Sequence, residues 1–108
     1  MARNIMLEVK RDEACENLAG IQIEGCSAIW DGKKKVEVIG EAAAKQGTVR
    51  GSVALQITVY GGQNQIIGRS EEWIMSFGLR QSFEVLCELK TEGIDPTSIR
   101  IFPTKDED

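Results

Sequence analysis

The 108-residue chain contains no histidine. Catalytic groups of the Ser-His-Asp and Cys-His types are therefore impossible, and so are zinc sites that use imidazole ligands. Its three cysteines, Cys15, Cys26 and Cys87, form no CxxC pair and are odd in number, so they predict neither a zinc site nor a complete disulfide framework. We expect them to be small buried or half-buried apolar residues. These absences predict a protein that is not an enzyme and that uses no metal and no cofactor.

Positive charge and long apolar runs are also scarce. Thirteen Lys and Arg residues stand against seventeen Asp and Glu residues, a net charge of −4, so counterion release would add little to nucleic-acid binding. The basic run 33–35 is expected to be a solvated turn. No window approaches the roughly 18 apolar residues of a membrane span, and the first residues lack the apolar stretch of a signal peptide. The sequence thus predicts no nucleic-acid partner, no membrane span and a cytoplasmic location.

The remaining polar motifs do not match known catalytic patterns. Glu71 and Glu72 are adjacent on a predicted strand, where neighbouring side chains point to opposite faces, so they cannot readily share a proton. The pair Gly61-Gly62 precedes a predicted strand, whereas a phosphate-binding glycine loop precedes a helix. Both motifs favour a non-catalytic domain.

Apolar residues alternate with other types along most of the chain, and turn residues separate the alternating segments. This pattern predicts one all-β domain over residues 1–108, a sandwich or a barrel. The segment Arg11–Ala19 alone has helix-like composition, and residues 104–108 are predicted to be a frayed acidic end. The predicted strands are Ile5–Lys10, Gly20–Trp30, Lys34–Ala44, Ser52–Tyr60, Gln65–Met75, Ser82–Leu89 and Ser98–Pro103.

A two-residue turn at Asp31-Gly32 would fix the pairing of the second and third strands. Trp30 would then face Lys33, and Ile23 would face Gly40. One face would pair each large residue with a small one, as a packed inner face requires. The other face would turn outward and would carry Trp30, Ala28, Cys26 and Ile39.

The stretch Leu55–Gly68, LQITVYGGQNQIIG, predicts a second hairpin. Val53, Leu55, Ile57 and Val59 are expected to face inward. The loop GGQN tolerates positive φ, with Asn64 the expected non-glycine residue in the left-handed region, and Gly68 marks a predicted bulge.

This hairpin resembles the one that names the FxLYD family. The strands around Gly40-Glu41 and the turn from Gly78 to Phe83 add to the resemblance, although Phe77 stands where the family has proline. The likeness covers about residues 34–102 and leaves residues 1–30 outside it. The name FxLYD spells a sequence motif. At its Phe, Leu, Tyr and Asp positions this chain has Ile57, Val59, Tyr60 and Gly61.

The resemblance implies an immunoglobulin-like antiparallel β-sandwich of about seven strands. It also implies no enzymatic role. Members of the family usually occur outside the cytoplasm, which is at odds with the missing signal peptide.

The strand Ser82–Leu89 places Phe83 and Val85 inward and leaves Leu86 outward. If this strand lies beside the one that carries Ile39, their outward apolar residues form a patch of a size that marks interaction sites. The predicted function is a protein-interaction or self-associating domain, with a protein partner or a homo-oligomer. The interface candidates are Trp30, Ile39, Leu86 and Phe77.

Two alternatives remain open. The segment Arg11–Ala19 could cover the outward apolar residues with Ala14, Cys15 and Leu18. The domain could instead bind a small ligand or a carbohydrate by stacking on Trp30, Tyr60 or Trp73, although tryptophan in such a domain more often closes the core.

Overall fold

The computed structural model describes residues 5–47, 51–75, 78–91 and 93–105. These residues form seven strands, one short α-helix and one 3₁₀ turn, which confirms the all-β prediction and the number of strands. In chain order the elements are β1 (Ile5–Arg11), α1 (Glu13–Ala19), β2 (Ile21–Trp30), β3 (Lys35–Ala44), β4 (Val53–Gly61), the 3₁₀ turn (Gly62–Asn64), β5 (Ile66–Ile74), β6 (Arg80–Glu88) and β7 (Pro96–Lys105).

The seven strands belong to one mixed sheet in the order β5-β4-β7-β1-β2-β3-β6. Strand β1 joins its two halves, since Ile5–Leu7 pairs antiparallel with β2 and Glu8–Arg11 pairs parallel with β7. The edge strands β5 and β6 lie close to each other, so the sheet is nearly a barrel. Because β1 makes the sheet continuous, the structure does not confirm the immunoglobulin-like sandwich.

Strand β4 provides the centre of the core, as its alternation predicts. Val53, Leu55, Ile57 and Val59 are at most 1% exposed. Inward residues of both halves of the sheet pack around them into a single cluster. Ala54 faces outward and is nevertheless buried, since it lies between Trp73 on β5 and Thr104 on β7.

The hairpin between β4 and β5 agrees with the prediction in its loop and in its bulge. Asn64 has a φ of 59°, and Gln63 also adopts the left-handed region with a φ of 61°. The register shifts where Val59 faces Gly68 and Tyr60 faces Ile66, which leaves Ile67 as the extra residue directly before Gly68.

The predicted register of the β2–β3 hairpin is wrong. Trp30 faces Val36 rather than Lys33, because the connection is longer than two residues. The carboxylate of Asp31 accepts hydrogen bonds from the backbone N–H groups of Lys33 (2.7 Å) and Lys35 (3.2 Å). A side chain that binds its own turn in this way stabilises a wider loop than a type I′ turn.

A bulge in β2 reverses the predicted faces beyond it. Glu24 faces Glu41 and Ser27 faces Ile39, so Gly25 and Cys26 together oppose Gly40. Gly25 has a φ of 56°, which a residue with a side chain rarely adopts. Beyond the bulge, Ala28 and Trp30 point inward and are buried, although the sequence predicted them outward.

Helix α1 closes one end of the barrel and confirms the helical prediction for this segment. Asp12 caps its N-terminus by accepting the N–H of Cys15 at 3.0 Å. Glu16 is 1% exposed and accepts two hydrogen bonds from Arg11 (2.7 and 3.0 Å) and one from the N–H of Ile23 (3.2 Å). The buried carboxylate is thus paired and hydrogen-bonded, as burial of a charge requires.

The end of the described chain is more regular than predicted. Thr104 and Lys105, expected to be frayed, pair with Ala54 and Val53 as the last residues of β7. The final residues 106–108 lie outside the described part of the chain.

Candidate interaction surface

Four apolar side chains, one from each of β1, β2, β3 and β6, project from the outer face of these strands, and we call this group the apolar face. Met6 lies opposite Ile29, Ile29 opposite Glu37, and Glu37 opposite Leu86, so a row of outward side chains crosses all four strands. Ile39 is the next outward residue on β3. Met6 is 64% exposed, Leu86 55% and Ile39 36%, while Ile29 is half-buried.

Two shallow grooves border these side chains. One has a volume of about 340 Å³ and lies between Ile29, Lys35 and Leu86. The other has a volume of about 550 Å³ and lies between Ile39, Gly40 and Glu84. The apolar face is therefore uneven, with recesses into which side chains of another molecule can pack.

Charged residues of both signs surround the apolar face. Lys35 lies opposite Glu88 near one end. Near the other end the guanidinium of Arg80 bonds to the carboxylates of Glu24 and Glu41, and these bonds raise the pKa of Arg80. Glu37 also lies within the face, between Ile29 and Leu86. Apart from Glu37, a polar rim around apolar residues is the usual composition of a protein interface.

The three thiols are free, and none has the properties of a nucleophile. Burial raises the pKa of each of them, to about 11 for Cys26. Since the thiolate is the reactive form, a raised pKa makes each of these cysteines a weak nucleophile at neutral pH. Their position agrees with the predicted role as small buried or half-buried residues.

The structure brings two of the four predicted interface residues together. Strands β3 and β6 are neighbours, and Ile39 and Leu86 both project from their outer face. Trp30 points inward, is buried, and donates its indole N–H to the carbonyl of Lys33 at 3.2 Å. Phe77 lies outside the described residues.

Helix α1 does not cover the apolar face. It packs against β2 and β7 at the end of the barrel. Leu18, which was expected to contribute to such a cover, is 86% exposed. The alternative in which Arg11–Ala19 shields Ile39 and Leu86 is therefore wrong.

The aromatic residues predicted to stack on a ligand are far apart. Trp73 is 51% exposed and lies beside Ala54, whereas Tyr60 lies six residues further along β4, about 20 Å away at the spacing of an extended strand. Trp30 faces the core. No two of the three thus form a common platform.

Two members of the apolar face were missed by reasoning from the sequence. Met6 could have been found, since Ile5, Leu7 and Val9 alternate around it. Ile29 could have been found from Gly25, because a glycine inside a strand often marks a bulge that reverses the faces.

The described residues contain no group of three or more Cys, Asp or Glu side chains that could hold a metal ion. In the same part of the chain, no helix has the length and apolar character needed to cross a membrane. Comparisons of the chain with protein-family models, with curated proteins and with solved structures found no match.

Proposed function

We propose that this domain is a non-catalytic interaction module that associates with a second copy of itself through the apolar face. The observation that carries the proposal is the set of four outward apolar residues, one on each of four neighbouring strands, with Met6 and Leu86 more than half exposed. Large apolar groups rarely lie together on a surface that stays in water.

A second copy is the partner that the charges favour. In a two-fold dimer the same patch meets itself, so its rim needs charges of both signs. Lys35 and Glu88 lie opposite each other on adjacent strands at the edge of the apolar face. A two-fold axis that passes between Lys35 and Glu37 would bring Lys35 of each copy toward Glu37 of the other.

The resemblance to the FxLYD family stays a prediction and is consistent with a non-catalytic domain. The same holds for the immunoglobulin-like sandwich that it implies. Binding of a small ligand or carbohydrate is less favoured, since the three aromatic residues do not lie together.

Sedimentation equilibrium over a wide range of concentrations tests the proposal. We expect the wild type to form dimers and Leu86→Glu to weaken the dimer by at least about tenfold, as loss of a central interface residue commonly does. The matched control is Thr58→Glu on the outer face of β4, where the new carboxylate would lie between Arg69 and Arg100.

The control should leave the dimer unchanged, and both variants should keep the far-UV circular dichroism of the wild type. A wild type that stays monomeric at the highest concentration would refute the proposal. Equal weakening of the dimer by both variants would also contradict it, since the effect would then not depend on the face.

A further inference from the structure

A groove of about 480 Å³ lies at one end of the barrel, between the connection from β2 to β3 and the segment that joins β6 to β7. It begins at Trp30, the last residue of β2, whereas helix α1 precedes the first residue of β2, so the groove and the helix lie at opposite ends. We call it the end groove. Its volume is in the range of small-molecule sites in proteins.

The floor of the end groove is apolar and is formed by Trp30, Leu89 and Ile94. Trp30 and Leu89 are 9% and 8% exposed and belong to the core cluster, and Ile94 is half-buried against that cluster. Ile94 packs directly on the backbone of Gly61, since a Cβ added at Gly61 would lie 2.5 Å from Cγ2 of Ile94. An apolar group that enters the groove would therefore contact the edge of the core, where burial of apolar area is favourable.

Hydrogen bonds hold the floor against the β2–β3 connection. The indole N–H of Trp30 donates to the carbonyl of Lys33 at 3.2 Å. The backbone N–H of Leu89 donates to the carbonyl of Lys34 at 2.7 Å. A floor that is fixed before binding lowers the ordering cost that a ligand must offset.

Two lysines border this floor on one side. Lys33 and Lys34 belong to the β2–β3 connection, and both are exposed. The carboxylate of Asp31 in the same connection accepts backbone N–H groups, and the ion pairs of the described residues do not include Lys33. Among the described residues that line the groove, the one carboxylate is that of Asp95. The ammonium of Lys33 is thus available to an anion at the edge of the apolar floor.

We propose that the end groove binds a small amphipathic carboxylate. The apolar part of the ligand lies on Trp30, Leu89 and Ile94, and its carboxylate accepts a charge-assisted hydrogen bond from the ammonium of Lys33. The site needs no pair of neighbouring aromatic side chains, because Trp30 contributes only the small part of its surface that is not buried.

The end groove is separate from the apolar face. Among the described residues that line it, none belongs to the apolar face. The proposal is therefore independent of dimer formation, and Leu86→Glu should bind the ligand as tightly as the wild type does.

Heteronuclear NMR of the isotopically labelled full chain tests the site with hydrocinnamate, which carries a phenyl ring and a carboxylate. The chain has two tryptophans, and Trp73 lies beside Ala54 near the end of the barrel away from the groove. Hydrocinnamate should shift the indole N–H signal of Trp30 in a saturable way and leave that of Trp73 in place. The variant Trp73→Phe assigns the two signals.

Two compounds of similar shape test the charge of the ligand. Hydrocinnamamide is uncharged, and phenylpropylamine is a cation. Each should bind at least about tenfold more weakly than hydrocinnamate, because neither can accept a charge-assisted hydrogen bond from the ammonium of Lys33.

Charge reversal on the protein tests the role of Lys33. Lys33→Glu should weaken binding of hydrocinnamate by at least about tenfold. The carbonyl of Lys33 that holds Trp30 remains, and Lys33→Met, which keeps an apolar side chain, serves if the Glu variant does not fold. The matched control is Lys45→Glu, since Lys45 is exposed and bonds to Asn17 of α1 at the other end of the barrel. This control should bind like the wild type.

A substitution of Asp95 separates a carboxylate from a zwitterion. Asp95→Asn should bind hydrocinnamate at least as tightly as the wild type, because it removes a negative charge from the groove. Weaker binding in this variant would contradict the proposal.

Four further results would overturn it. The Trp30 signal could stay in place at every concentration of hydrocinnamate, which would mean that the groove is not a site. Hydrocinnamamide could bind as tightly as hydrocinnamate, which would mean that the charge is not recognised. Lys45→Glu could weaken binding as much as Lys33→Glu does, which would indicate attraction without a site. Loss of binding in Leu86→Glu would mean that the site exists only in a dimer.

Discussion

The outer faces of the two halves of the sheet have the same strand geometry but different side chains. On β1, β2, β3 and β6 the outward residues include Met6, Ile29, Ile39 and Leu86. On β4, β5 and β7 the exposed outward apolar residues are Ile66 and Trp73, which lie near opposite ends of β5 and are separated by polar and charged side chains. The difference cannot come from burial by the rest of the described chain, since large side chains on both faces are exposed.

Polar side chains on the outer face of β4, β5 and β7, which we call the polar half, bond to one another or to a neighbouring element. Gln56 on β4 bonds to Glu71 on β5, and Arg100 on β7 bonds to Asp12 and stacks over the ring of Phe102 at 4.4 Å. On the other half, Arg80 bonds to Glu24 and Glu41 in a similar way. The two halves therefore differ in how their exposed apolar residues are grouped, since these lie together on β1, β2, β3 and β6 and apart on β5.

The largest expected effect contrasts one isoleucine inside the sheet with one on the apolar face. Ile57→Ala should lower the free energy of unfolding by about 2–5 kcal/mol, since it leaves a cavity in the core. Ile39→Ala should lower it by less than about 1 kcal/mol, because the side chain is 36% exposed. Urea denaturation at concentrations where the protein is monomeric measures both. Equal losses would mean that Ile39 belongs to the core.

The second effect concerns Cys26, in the β2 bulge. Its pKa is raised to about 11 from 9.0, so at pH 9 the thiolate is far less populated in the folded chain than in the unfolded chain. Iodoacetamide should modify it roughly tenfold to fiftyfold more slowly in the folded protein at pH 9. The folded state holds the proton of Cys26 more tightly than the unfolded state does. This difference in pKa adds to the free energy of unfolding below pH 9, and the added free energy is lost as the pH rises toward 11.

The rate at Cys26 is measured by mass spectrometry of the peptide that contains it. The same peptide from protein unfolded in urea is the control. Equal rates in the two samples would show that the bulge does not shield the thiol.

The third effect tests whether Met6, at the β1 end of the apolar face, belongs to the interface. Met6→Glu should weaken self-association by about tenfold, since Met6 is exposed and lies in the same row as Ile29 and Leu86. Thr104→Glu, on the polar half, should not weaken it. Analytical ultracentrifugation of both variants makes the comparison, and an unchanged dimer in Met6→Glu would restrict the interface to β2, β3 and β6.

The smallest effect is expected on the polar half. Arg100→Ala removes the contacts with Asp12 and Phe102, but the Arg100 side chain is 41% exposed, so water and salt screen its charge. Its loss of unfolding free energy should be several times smaller than that of Ile57→Ala and should decrease with added salt. A loss as large as that of Ile57→Ala would contradict the assignment of this contact to the surface.

Strand positions and faces could be predicted wherever the alternation has no interruption. Strands β4 and β6 show this, and Leu86 and Ile39 were placed on the outer surface for that reason. The β2–β3 register was predicted wrongly because it depends on the hydrogen bonds of Asp31 and on the bulge at Gly25-Cys26, and of these two features only the bulge has a sequence signal, Gly25. The sequence also contains no signal for the parallel pairing of β1 with β7, since it depends on a contact between the two ends of the chain.

The double pairing of β1 has a consequence for the time course of folding. Its first residues can pair with β2 as soon as the first thirty residues are available. Its second half, Glu8–Arg11, pairs with Ser98–Ile101 and must wait until nearly the whole chain is present. Contacts of such long sequence separation slow folding, so we expect the β1–β7 ladder to form late. Until then the inward side of β4 and β7 is exposed to water, and this interval is when the chain is most prone to aggregate.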